Sequence, residues 1–141
     1  MANLTVTAAD VRPLQGAVTR KATAGEALTV GLAVYISGAT GNIPAVSKAD
    51  ASAVATSDLF GIVVAGAPEK NGSTTIASGD IVDVVVWGPV AGVAGTAGAF
   101  TWVSDDAGLL ADAVGTKSAP AGFMESANVF FVRPFQGTRS A

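Results

Sequence analysis

The commonest side chain in this chain that could hold a metal or move a proton is aspartate. Asp105, Asp106 and Asp112 fall close together, and Asp80 and Asp83 flank the start of a valine-rich run. Carboxylates this near one another can bind calcium or share a proton as an acid–base pair. The ligand spacing of an EF-hand is absent, however, and Ser104-Asp-Asp-Ala-Gly108 is the sequence that a type I turn followed by a left-handed glycine requires. Gly79-Asp80 ahead of a strand is turn chemistry as well, and Asp83 on a valine-rich face is expected to meet an amide or an arginine of a neighbour. With no cysteine there is no thiolate nucleophile, disulfide or Cys-based metal site, and with no histidine the usual general base near neutral pH is missing. No Gly-x-Ser-x-Gly elbow or Ser-x-x-Lys pair occurs. A Ser/Lys hydrolase would need a perturbed lysine among Lys21, Lys48, Lys70 and Lys117. The glycines between Gly88 and Gly98 lack the Gly-Lys-Ser/Thr ending of a phosphate loop and read as a flexible crossing. The expectation is a protein that is not an enzyme, with no catalytic residue, no cofactor and no metal.

The elements carrying these residues are expected to be short strands. The chain holds 17 Gly and 6 Pro; half of it is hydrophobic, much of that Ala and Val, and only 6% is aromatic. That composition suits many turns around a thin core of small side chains. Leu28 to Ile36 alternates completely, with Gly31 marking a bulge or bend, and Ser37 to Asn42 supplies a hairpin turn into Ile43-Pro-Ala-Val. The stretch 47–57 suits a loop with a helical turn, Leu59 to Ala65 a strand buried on both faces, and Asn71-Gly72 a tight turn before Thr74-Thr-Ile. In Ile81 to Trp87 both faces are largely apolar, which implies something beyond the domain's own core on the second side; Gly88-Pro89 is expected to stop the strand. Ala99 to Val103, Phe123-Met124 and Val129 to Arg133 complete the sheet. Adjacent Phe130 and Phe131 must point to opposite faces, one of them towards a partner or a second layer.

Leu4 to Leu14, without an evident hairpin partner, reads as an extended arm. The fold class expected is therefore mainly β: a small antiparallel β-barrel or sandwich with an extended N-terminal arm and at most one short helix. The organisation is an arm at 1–16, a barrel-like domain at 17–135 and a tail at 136–141. Laying Ala24–Ala45 on Ala91–Asp112 matches Gly25 with Gly92, Gly31 with Gly98, Ser37 with Ser104 and Gly41 with Gly108, which suggests two echoed modules at about 22–90 and 91–135.

Charge narrows the choice of partners. Only 13% of residues are charged, against ~25% in an average chain. A small domain with so little charge is expected to have part of its surface covered by neighbours. The net charge of −3 and the scattered Lys and Arg argue against direct nucleic-acid binding. The apolar runs are broken by Gly or Pro and fall short of the ~20 residues of a spanning helix, and the start lacks a secretion-signal pattern. No membrane partner is expected, and synthesis is expected in the cytoplasm.

The succession Ala24-Gly-Glu-Ala-Leu-Thr-Val-Gly-Leu-Ala-Val-Tyr-Ile, Phe60-Gly-Ile-Val-Val-Ala, Ser78-Gly-Asp-Ile-Val-Asp-Val-Val-Val-Trp-Gly-Pro-Val and Ala97-Gly-Ala-Phe-Thr-Trp-Val resembles the capsid decoration, or cement, proteins of tailed bacteriophages over roughly Val18 to Pro134. That resemblance implies a virion protein on the capsid exterior, made in the host cytoplasm, often trimeric, which clamps the major capsid protein shell from outside. On this reading Leu4, Val6, Val11, Arg12 and Leu14 of the arm would bind the shell or a neighbouring copy. Trp87, Asp83, Val85, Phe130 or Phe131, and Arg133 would meet sister subunits. The competing expectation is a receptor- or glycan-binding module of a phage fibre or other surface assembly.

Overall fold

Valine-rich alternation and frequent glycine turns give a chain whose regular structure is almost all strand, seen in a computed structural model that describes residues 2–66 and 74–134. In order these are β1 (Thr5–Val6), β2 (Arg12–Pro13), β3 (Val18–Ala24), β4 (Leu28–Thr29), β5 (Ala33–Thr40), β6 (Ile43–Lys48) and β7 (Gly61–Ala65). There follow β8 (Thr75–Ile76), β9 (Ile81–Ala91), β10 (Val93–Ala94), β11 (Phe100–Val103), β12 (Leu110–Ala111), β13 (Pro120–Ser126) and β14 (Val129–Val132). The helical content among the described residues is two 3-10 turns, Ala8–Asp10 and Val54–Thr56, the second inside the stretch where a helical turn was expected. Asn71-Gly72 and the tail beyond Pro134 lie outside the described residues.

The protein is mainly β, built around a closed five-stranded barrel. β3, β6, β5, β7 and β9 pair in that order and β9 returns to β3; the β3–β6 pair is parallel and the other four are antiparallel. A second sheet, β12-β11-β13-β14, is joined to the barrel through the C-terminal half of β9. The order β6-β5-β7-β9 of the first half thus recurs as β12-β11-β13-β14 in the second. Gly31 and Gly98, like Gly41 and Gly108, all have positive φ.

β9 is the element shared by both halves. It runs for 11 residues. The expectation that Gly88-Pro89 ends it is corrected: Pro89 lacks an N–H, yet Gly88 to Ala91 stay paired with Val132 to Val129 of β14. Of the two apolar faces of this strand, Val82 and Val84 are buried by the chain's own core; on the other face Val85 is buried too, but Ile81 and Trp87 are left exposed. A second correction concerns Leu28 to Ile36, which is two strands. The chain turns at Val30 to Leu32, where Gly31 adopts φ +98°, so β4 pairs with β8 and β5 enters the barrel.

The arm is corrected most. It lies along the second half and fills the gap between β12 and β9. The Leu4 N–H donates to the Leu110 carbonyl at 2.8 Å and the Asp112 N–H to the Ala2 carbonyl at 3.0 Å. β1 then pairs with β10, and β2 with Ala91 and Val90 of β9, after which β3 continues along the same partner strand. Val11 is buried, and Leu4 and Val6 pack against the core. The glycines expected to make a flexible crossing form the seat of this segment. A Cβ at Gly92 would stand 2.7 Å from the Val11 nitrogen, and one at Gly31 2.4 Å from Cγ1 of Val6. Only residues without side chains let the arm come this close, by its backbone at Gly92 and by the Val6 side chain at Gly31.

Candidate functional site

Strand alternation sends the small side chains of the second half inward and its large ones outward. In β11, Thr101 and Val103 are buried while Phe100 and Trp102 face out; in β14, Phe130 and Val132 are buried while Phe131 faces out. Register then aligns the outward rings from strand to strand. Phe100 is the partner of Phe123 in β13, Phe123 of Phe131, and Trp87 emerges from β9 beyond Phe131. Phe123 and Phe131 stack with centroids 5.0 Å apart, and Trp87 meets Phe131 edge-on at 5.7 Å. Phe100 and Trp102 form another edge-on pair at 6.3 Å, and the Arg133 guanidinium lies over the Trp87 ring at 5.9 Å. Distances of this kind are those of favourable aromatic and cation–π pairs.

The strip is not flat. The pairing of β11 with β13 slips between Thr101 and Trp102, opening a groove of about 340 Å³ walled by Phe100, Trp102, Pro120, Gly122, Phe123 and Arg133. Gly122 has no room for a side chain, because a Cβ there would stand 2.0 Å from the Phe131 carbonyl oxygen. Phe100 is 70% exposed and Trp87 46% exposed. Among the described residues Phe130 alone of the aromatic side chains is buried; the rest of the core is Val, Ala, Leu, Ile and Met. Among the described rings of the second half, Phe130 alone is inside while Phe100, Trp102, Phe123 and Phe131 face out over a core of small side chains, the reverse of what burial alone favours.

The residues expected to form a subunit interface are divided by this arrangement. Trp87, Phe131 and Arg133 come together on the strip. Asp83 lies apart from these rings on β9 and pairs with Lys21. Val85 and Phe130 are removed from the interface, since both are fully buried in the core, and of the adjacent Phe pair it is Phe131 that faces out. For the arm, Val11 is likewise spent on the core, with Leu4 and Val6 packed against it. Arg12 remains exposed, its Nη1 donating to the Asp10 carbonyl at 3.4 Å, and Leu14 is half-buried. Arg12 and Leu14 border a second, more polar cleft of about 310 Å³ with Asp10 and Asn128. Phe100, Trp102 and Phe123 were not among the expected site residues. The signal was present in the spacing Phe100-x-Trp102, which puts two rings on one face of a strand.

The carboxylates act as ties. The Asp106 N–H donates to Ser104 Oγ at 3.0 Å and Leu109 N–H to the Asp106 carbonyl at 3.1 Å, closing the turn with Gly108 at φ +82°. Asp105 accepts from the Thr116 N–H and hydroxyl at 2.9 and 2.8 Å. Asp106 accepts from Asn3 Nδ2 at 2.6 Å, and Asp112 from the Ala2 N–H at 2.8 Å. The Asp80 carboxylate accepts from the Ala77 N–H at 3.2 Å in a further turn. Among the described residues no three Asp or Glu side chains are grouped to hold a metal, and no helix is long and apolar enough to cross a membrane. The strip presents exposed rings, with the Arg133 guanidinium over Trp87, and no grouped acid–base or metal-ligating side chains among the described residues. Comparison with protein-family models, curated proteins and solved structures gave no match.

Proposed function

We propose that this protein is a structural, non-enzymatic component of a virion that decorates and stabilises an icosahedral phage capsid from outside. It binds the major capsid protein shell and self-associates, as a trimer, through the aromatic strip. The observation that carries the reading is the outward placement of Trp87, Phe100, Trp102, Phe123 and Phe131 over a core of small side chains. Aromatic residues and arginine are the groups that dominate protein–protein contacts, and an exposed apolar patch of this kind lowers its free energy when another protein covers it. The low charge of the chain supports the same conclusion. Many copies docked side by side would make weak individual contacts strong together.

The test adds the purified protein to expanded tailed-phage shells stripped of decoration protein. The expected outcome is saturable binding that raises the temperature at which the shells rupture, lost in the Trp87→Ser, Phe131→Ser double variant. Failure to bind any shell would overturn the assignment. A second reading, a glycan-binding module, is favoured by the outward faces of Trp87 and Trp102, since sugars stack on such rings. Specific signals on a glycan array, together with absent shell binding, would select it.

A further inference from the structure

The barrel carries a feature opposite in shape to the groove. Beyond Tyr35 the β5–β6 hairpin has eight consecutive exposed residues, Ile36 to Ile43, ending in the two-residue turn Gly41-Asn42 with Gly41 at φ +63°. Ile36 is 48% and Ile43 37% exposed. From Tyr35 to Ser47 the sequence contains no charged residue. Exposed hairpins ordinarily bear lysines or other charges that prevent sticking to further strands and apolar surfaces. This one has none, and its interior polar contact is the Ser37–Ser47 hydroxyl pair at 2.9 Å, which stiffens the two strands against each other.

We propose that copies of this chain join head to tail, the β5–β6 hairpin tip of one copy lying in the aromatic groove of the next. The proposal rests on the self-association stated above and assigns its two surfaces. The finger is uncharged, with Ile36 and Ile43 flanking its tip, and the groove is lined mainly by apolar side chains with one charge, Arg133, on its wall, so their union buries almost no ionised group. In a single copy they do not meet, because every residue of the tip is exposed.

The two areas are also matched. A fully buried aromatic ring covers about 150–250 Å². At 70% exposure Phe100 leaves on the order of 100–150 Å² to be covered, and the partly exposed Trp102 and Phe123 of the groove add to it. With a finger of similar size on the other side, the contact covers on the order of 300–400 Å² per partner, about half that of a standard interface, so a single joint is weak and gains its strength from repetition around a closed assembly. Because the two surfaces differ, the contact is heterologous, and repetition of one such step closes a ring when its rotation divides a full turn and otherwise runs on as a filament. A trimer is the smallest ring beyond a dimer.

The test uses the full chain in three forms: unaltered, Ile36→Asp with Ile43→Asp, and Phe100→Asp. All three positions are exposed, so circular dichroism should show an unchanged fold. By sedimentation velocity the unaltered protein is expected to form a closed oligomer. Each variant alone is expected to be monomeric, with association weakened at least 30-fold. Mixed in equal amounts, the two monomeric variants are expected to form one-to-one dimers, since the intact finger of the Phe100 variant finds the intact groove of the other. An isoleucine variant that assembles like the unaltered protein, or a mixture that stays monomeric, overturns the finger-in-groove contact alone. An unaltered protein that is monomeric at every concentration overturns self-association itself, and this contact with it.

Discussion

Phe130 and Phe131 are consecutive in sequence and opposite in consequence. Phe130 is fully buried against Gly122, Val90 and their neighbours, while Phe131 stacks on Phe123 in the outward strip. The same contrast separates Phe130 from Phe100. Replacing Phe130 by Ala removes a buried ring and leaves a cavity, and is expected to lower the free energy of unfolding by about 3–5 kcal/mol. Phe100→Ala, at a largely exposed position, is expected to change it by less than about 0.5 kcal/mol. Urea denaturation of both variants, at a concentration low enough to keep the protein dissociated, checks the pair. Equal losses would mean that Phe100 belongs to the core and that the strip is not a free surface. Asp105, Asp106 and Asp112 show the residue scale in another way: carboxylates that suggest a calcium site from spacing are occupied with Thr116, Asn3 and Ala2. Which partner a carboxylate finds is decided by residues far along the chain, and local spacing does not contain it.

At the scale of elements, strands with clean alternation were legible and those defined by a distant partner were not. The β5–β6 hairpin, the buried run in β7, the 3-10 turn near Thr56 and the strands around Trp102 and Phe131 follow from local pattern. The course of β9 past Pro89 does not, because the missing N–H of Pro89 is tolerated only where β14 and the arm supply the surrounding pairing. Nor does the docking of β1 and β2, whose partners β10 and β9 lie in the other half of the sequence. Phe100-x-Trp102 was readable as a two-ring face, but its alignment with Phe123 and Phe131 depends on register. The arm carries a prediction of its own. Its removal should expose Val93, Leu110 and the edge of β12, so a chain lacking residues 2–14 is expected to melt at a lower temperature. Hydrogen exchange should accelerate in β10 to β12 and much less in β5 to β7. Equal protection in both chains would show that the arm contributes nothing to the second half.

For the whole molecule, the two halves share β9 and cannot part without breaking it. What the molecule offers to others is a mostly uncharged surface, and this sets how its assembly responds to solvent. Contacts made by exposed ions weaken as salt screens them, over a Debye length of about 10 Å at 0.1 M and about 3 Å at 1 M. Apolar contacts do not, and sulfate strengthens them. Assembly is therefore expected to be unchanged or tighter between 0.05 and ~1 M ionic strength, as measured by sedimentation equilibrium; marked dissociation by salt would mean that ion pairs between copies, and not the aromatic strip, hold it together. The threading of Ala2 to Leu14 over Gly92 and beside Leu110 also imposes a timetable. These residues leave the ribosome before their seat has been made, and Ala2 is joined to Asp112 across a separation of 110 positions. Pairings so distant are slow to find. The arm is thus among the last segments to settle, waiting for partners in β9, β10 and β12 that are made long after it.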